Sequence, residues 1–116
     1  MTFQKFEDIV AWKRAQDLAF EVYRKFGKHR DFGFRDQITR ASVSVSNNIA
    51  EGFDKGTDRQ FAHYLNHSQG SCSEVRSMLH LALRLGYLNQ TEQKHLLEIC
   101  NHTGKLVKGL QKFLKK

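Results

Sequence analysis

The chain has no proline in its 116 residues. Composition therefore supplies nothing that removes a backbone donor and breaks a helix from within. Cysteine is nearly absent. Cys72 and Cys100 are the only two, too few for a disulfide scaffold and not spaced as a CxxC pair. No apolar run approaches the roughly 20 residues of a membrane span. The N-terminal "MTFQKFEDIV" lacks the cationic start and long apolar stretch of a signal peptide. These absences point to a cytoplasmic protein that holds both cysteines as buried thiols and has no membrane partner. Acidic side chains are scarce in the second half: residues 59–116 hold 3 against 9 basic ones, whereas residues 1–58 hold 9 against 10. A field concentrated in this way attracts polyanions, although a soluble surface that happens to be positive has the same composition.

What is present is an ordinary globular composition, 40% apolar and 27% charged. The length suits one domain, residues 1–116, burying about 65% of its unfolded surface. Helix formers dominate, and punctuation falls in three places, so the chain reads as four helices. The first covers about 6–27, with Trp12, Ala15, Ala19, Val22 and Phe26 on one face and Gly27 as its cap. Asp31 then accepts from the free N–H groups of a second helix. Within it, "ASVSVS" alternates like a half-buried strand. The longer pattern Phe34, Ile38, Ala41, Val45, Ile49 has helical spacing and outweighs five alternating residues. The second helix ends near Phe53, and Thr57 with Gln60 reads as a capping box for the third.

The third helix has the most regular pattern. Phe61, Leu65, Ser68, Cys72, Val75, Leu79 and Ala82 step by 4 and 3 without a slip, a heptad seam. Tyr64, Ser71, Met78 and Leu85 form a second stripe, which implies neighbours on both sides, and Gly86 caps the rod. Asn89 with Glu92 opens a fourth helix whose core face is Leu96, Ile99, Leu106, Leu110 and Phe113. Short connections between long helices predict an all-α, antiparallel up-down-up-down four-helix bundle.

Candidate chemistry is sparse. Gly70 stands mid-helix among Ser68, Ser71, Cys72 and Ser73, where glycine costs about 1 kcal/mol relative to alanine. Close approach of another helix offsets that cost. The small residues Ala41, Ser42, Ser44, Ser46 and Ala50 of the second helix, or a partner subunit, are the expected neighbours. In "NNIAEG", Asn48 and Glu51 read as members of a hydrogen-bonded network with Arg40 or Trp12, ahead of a general acid–base role for Glu51. No catalytic companion for that carboxylate is evident. His63 and His67 are four apart, yet no third ligand accompanies them, and exposed histidines are the simpler reading. Two glycines in "EGFDKGTD" do not make a phosphate loop. No catalytic, metal or cofactor residue is therefore assigned. The last helix offers more: Lys105, Lys108, Lys112, Lys115 and Lys116 share one side, opposite Leu106, Val107, Leu110, Phe113 and Leu114. Such a face meets phosphates by counterion release, or it is a solvated helix end favoured by the dipole.

Four blocks carry a family resemblance. "FEDIVAWKRAQDLAFEVY", "FRDQITRASVSVSNNIAEG", and "GSCSEV" with "LALRLGYL" resemble, in order, the 23S rRNA intervening-sequence protein family over about residues 3–110. Ser46 departs from it, standing where the family usually has proline. The resemblance implies a left-handed four-helix bundle assembling as a homopentameric ring, with no enzyme activity and no catalytic residue. It also implies kinship with accessory factors of diversity-generating retroelements, which bind a reverse transcriptase and nucleic acid. The expectation is a non-enzymatic homo-oligomer that binds RNA or another polyanion through its lysine face. Asn48, Glu51, Gly52, Gly70 and Ser71 shape its packing. The alternative is an adaptor that docks a protein such as a reverse transcriptase.

Overall fold

The structure is a computed structural model that describes residues 3–115. Four helices follow a single 3-10 turn: α1 (Val10–Phe26), α2 (Phe32–Asp54), α3 (Asp58–Arg84) and α4 (Gln90–Leu114). There is no strand among the described residues, so the alternating "ASVSVS" is helical. Ser42 and Ser46, one turn apart, both point inward with Val45, while Val43 and Ser44 sit at the edges. The first helix is shorter than the expected span from residue 6. Phe6–Asp8 form the 3-10 turn, and Ile9 adopts an extended conformation that buries its side chain before α1 begins.

The ends follow local chemistry. Asp31 Oδ1 accepts from Phe34 N at 3.1 Å, the expected N-cap of α2. Thr57 caps α3 through Gln60 N, but the Gln60 side chain takes the Thr57 hydroxyl instead of returning to its backbone. Asn89 and Glu92 complete the reciprocal box on α4. Gly86, with φ 77°, closes α3. Gly86 N donates to Leu83 O and Tyr87 N to Ala82 O, the paired bonds of a Schellman motif.

Each helix packs on its neighbours in sequence, and α4 closes back onto α1. The result is a rod of 43 × 22 × 19 Å. Cross-helix bonds pair rising numbers on one helix with falling numbers on the next: Gln37 with Glu74 and Ser44 with Ser71 on α2 and α3, Arg14 with His102 and Lys25 with Glu92 on α1 and α4. All seven seam residues of α3 are buried, as the 4–3 spacing predicts. The second stripe is less enclosed: Tyr64 and Ser71 are half-buried and Leu85 is 48% exposed. Phe113, expected in the core, is 52% exposed. It lies in the last turn of α4, where only the segment around Phe3 and Val10 flanks it.

The buried hydroxyls between α2 and α3 are satisfied. Ser68 donates to Val45 O at 2.8 Å, and Ser71 donates to Ser44 Oγ at 2.8 Å. Asn48 Nδ2 donates to Ser44 O and Oγ at 2.8 and 2.9 Å. Ser46 donates to Val43 O and accepts from Gln16 of α1. Asn48 and Ser71 thus share one network, whereas Arg40 and Trp12 are not its members. Glu51 is exposed and makes no hydrogen bond among the described residues.

The two singled-out glycines behave oppositely. Gly70 is exposed, and a Cβ there meets nothing within 4 Å, so no helix of this chain approaches it. At Gly52 a Cβ would lie 2.6 Å from Tyr64 Cβ and 3.1 Å from the Phe61 ring. The close approach is at Gly52. Substituting Gly70→Ala is expected to raise stability by about 1 kcal/mol. Gly52→Ala is expected to lower it by about 1–3 kcal/mol through overpacking. Urea denaturation of the two variants beside the parent checks both signs.

Acid is expected to weaken the fold at two capping carboxylates. The Phe34 N–H, then the Tyr87 hydroxyl at 2.7 Å, hold Asp31 below its ordinary 3.8. Lys25, then the Asn89 N–H, hold Glu92 below its ordinary 4.5. Each folded pKa is depressed, so each contribution is present above those ordinary values and is lost as pH falls through the lower folded ones. Melting temperature should fall below about pH 4.5, and Asp31→Asn or Glu92→Gln should flatten that dependence.

Candidate nucleic-acid interface

α4 carries its lysines on the side away from the core because its apolar residues recur at helical spacing. Val107 is fully buried and Leu110 nearly so, while Lys105, Lys108, Lys112 and Lys115 are exposed. Lys116 lies outside the described residues. None of the four described lysines pairs with a carboxylate among the described residues.

Lys105 and Lys108 are not on a plain convex face. They line one side of a groove of about 690 Å³ between α3 and α4. Arg76 and Ser73 belong to the α3 wall, Asn101 to the α4 wall, and no carboxylate lines the groove. At its other end, Gln111 Nε2 donates to Asn66 Oδ1 at 2.7 Å. Gln69 Nε2 donates to Gln111 Oε1 at 3.3 Å and to Gly104 O at 3.1 Å. This amide chain ties the two helices while leaving polar atoms at the wall. Cys72 and Cys100 form part of the lining. Three cations and several amides facing one open groove suit an extended anion. Phosphates meet the cations, and amides donate to sugar or phosphate oxygens.

Arg76 was not legible as a site residue, because the α3–α4 packing that brings it to the same groove as Lys105 is a tertiary fact. A second basic cluster was also missed. Arg24, Lys25, Lys28 and Arg30 surround His29 and Tyr23 at the α1–α2 corner, the far end of the bundle from Lys115. Its signal is the run "RKFGKHR". Glu21 engages Arg24 and Glu92 engages Lys25, which leaves Lys28 and Arg30.

The remaining candidates lie apart from the groove. Asn48 and Glu51 line a depression of about 550 Å³ with Tyr23, Arg40 and Ser44. His63 and His67 are exposed, their Nε2 atoms 3.4 Å apart. Among the described residues no group of three potential ligands could hold a metal ion. His102 accepts from Arg14, and His95 faces Glu21 at 3.4 Å. No helix among the described residues is long and apolar enough to cross a membrane.

These features define a small four-helix bundle with a cationic groove along one interhelical seam. The sequence pattern of the 23S rRNA-intervening sequence protein family matches residues 7–109, and the chain belongs to that family. A crystal structure at 1.70 Å of a protein of unknown function, from the S23 ribosomal protein family of Bacteroides thetaiotaomicron VPI-5482, has the same fold. It superposes with a TM-score of 0.82 at 20% identity, covering 89% of this chain and 99% of its own. No curated protein matches the chain.

Proposed function

We propose that this chain is a non-enzymatic, cytoplasmic RNA-binding bundle that holds phosphate backbone along the α3–α4 groove. One observation carries the reading. Lys105 and Lys108 of α4 and Arg76 of α3 line one groove that no carboxylate lines, and Lys112 and Lys115 continue the charge along α4. Family membership agrees with an RNA context, since the family takes its name from insertions in 23S ribosomal RNA. No aromatic side chain lines the groove, so base stacking is not expected and recognition runs through backbone and shape.

Fluorescence anisotropy with a structured RNA across a salt series tests this. Affinity should fall steeply with salt, and the log–log slope should shrink by about one for each phosphate-contacting cation removed. Gln in place of Arg76, Lys105 and Lys108 should weaken binding more than Gln at Lys28 and Arg30. Salt-independent binding, or equal losses from the two sets, counts against the groove.

The same reading includes a homo-oligomer, by resemblance a pentameric ring, which multiplies a modest groove into avidity. Its support is unpartnered apolar surface: Val10 at 57% and Phe113 at 52% exposure flank a depression with Phe3 and Leu106. Native mass spectrometry should show one oligomer, converted to monomer by Val10→Glu with Phe113→Glu. A parent chain that is already monomeric favours the other reading, an adaptor whose apolar patch docks a protein such as a reverse transcriptase.

A further inference from the structure

Cys72 and Cys100 face each other across the α3–α4 seam with their sulfurs 3.7 Å apart. Each thiol also reaches the other's backbone: Cys72 Sγ donates to Cys100 O at 3.3 Å, and Cys100 Sγ to Cys72 O at 3.4 Å. Both are free. Both are largely covered, at 6% and 1% exposure, yet both contribute to the lining of the cationic groove. Residue 104, beside Cys72, is glycine. A Cβ there would stand 3.7 Å from the sulfur, so its absence keeps that side open.

We propose that Cys72 and Cys100 are a peroxide-oxidised dithiol whose reversible disulfide staples α3 to α4 beneath the groove. The sulfurs need to close by roughly 1.7 Å to reach bonding distance, a movement within the reach of side-chain rotation. The two thiols are not equivalent. A hydrogen bond from Cys100 holds Cys72 below the ordinary thiol range, and the Arg76 charge adds to this against burial. The same bond, with burial, pushes Cys100 up. Cys72 is also the less covered of the two and lies one helical turn before Arg76 on α3, which makes it the attacking thiolate. It takes one oxygen of hydrogen peroxide as the O–O bond breaks, giving a sulfenic acid and hydroxide, which is protonated to water. The Cys100 sulfur then attacks the Cys72 sulfur. The S–O bond breaks, and a second water leaves with the Cys100 proton. Two thiols and one peroxide become one disulfide and two waters.

The oxidation stands independently of RNA. Its regulatory consequence rests on the reading of the groove as the RNA site. A covalent bond between α3 and α4 fixes the spacing of the two walls that carry Arg76 and Lys105, and RNA affinity should change by about fivefold, the low end of coupling between sites.

The test uses the whole folded chain at neutral pH. After limiting hydrogen peroxide, free thiols are alkylated under denaturing conditions and the intact mass is read. The expected result is joint loss of both alkylation sites within one chain, restored by dithiothreitol. Cys100→Ala should stop at a sulfenic acid on Cys72 that dimedone traps; should that variant unfold, the parent chain still decides the question. Full alkylation after a peroxide excess that exhausts glutathione in the same tube overturns the proposal. So does an interchain dimer, or an irreversible sulfinic acid as the main product. RNA titrations of the reduced and oxidised chain separate the two claims. A disulfide with no RNA binding in either state sinks the groove reading alone. RNA binding without a disulfide sinks the dithiol alone, and equal affinity in both states removes the regulatory consequence.

Discussion

The close seam between α2 and α3 is the constraint on which the rest of the molecule depends. Helices pack at axial distances set by the side chains between them, and small residues permit the shortest ones. Here Val45, Ser68 and Gly52 stand at the approach. Ser68 reaches across to the Val45 carbonyl, and Gly52 lies against Tyr64 and Phe61. Small residues bring hydroxyls, and a buried hydroxyl without a partner destabilises by about 1–3 kcal/mol. The seam meets that demand: among the described residues no buried side-chain nitrogen or oxygen lacks a partner. A slip of one residue along α3 would strand Ser68 and Ser71 together. The hydroxyls therefore fix a register that apolar contact alone tolerates loosely. Once α3 is fixed against α2, its far side, with Gln69, Ser73 and Arg76, must face α4.

Periodicity made the helices legible because burial repeats with the turn of the helix. The seam of α3 holds 4–3 spacing from Phe61 to Ala82, and every member is buried. The misleading alternation at 42–46 has a plain cause. Serine is small enough to sit on any face, so a Ser–Val repeat carries little information on which way each residue points. Ends were less legible. Ile9 breaks the first helix without proline or glycine to mark it, because burying Ile9 and pairing the Phe6 and Trp12 rings, 5.2 Å apart, outweigh one more α-helical turn. Glycine was ambiguous for the same reason as serine. Gly70 sits in the more suggestive neighbourhood, yet Gly52 is the one approached. A missing side chain records permission for contact and not contact itself.

The groove was legible only in half. Lysine spacing along α4 is local information, and it placed Lys105 and Lys108 on the outer side. Arg76 and the amides of Asn66 and Gln69 come from residues some thirty to forty positions earlier, brought there by the α3–α4 register. Net charge showed an excess in the second half of the chain without showing that it gathers at a concave seam. Concavity matters because low-dielectric walls focus the field of the cations they flank. The corner cluster around Lys28 and Arg30 has comparable charge density but a different character. Carboxylates from α1 and α4 already engage two of its cations.

The cysteines show how one feature serves packing and chemistry together. A thiol behaves as a small apolar group, so Cys72 holds its place in the α3 seam as alanine or valine would. Two thiols in contact bury no charge and leave no orphan, since each finds the other's carbonyl. Their position at the groove changes that account. Arg76 lines the same groove, and its charge favours a thiolate beneath it. A cationic field of the kind that suits phosphate therefore also favours a thiolate. If the groove were lined by carboxylates, the thiols would be inert core. With cations on both walls, redox sensitivity follows from the feature that makes the groove attractive to a polyanion.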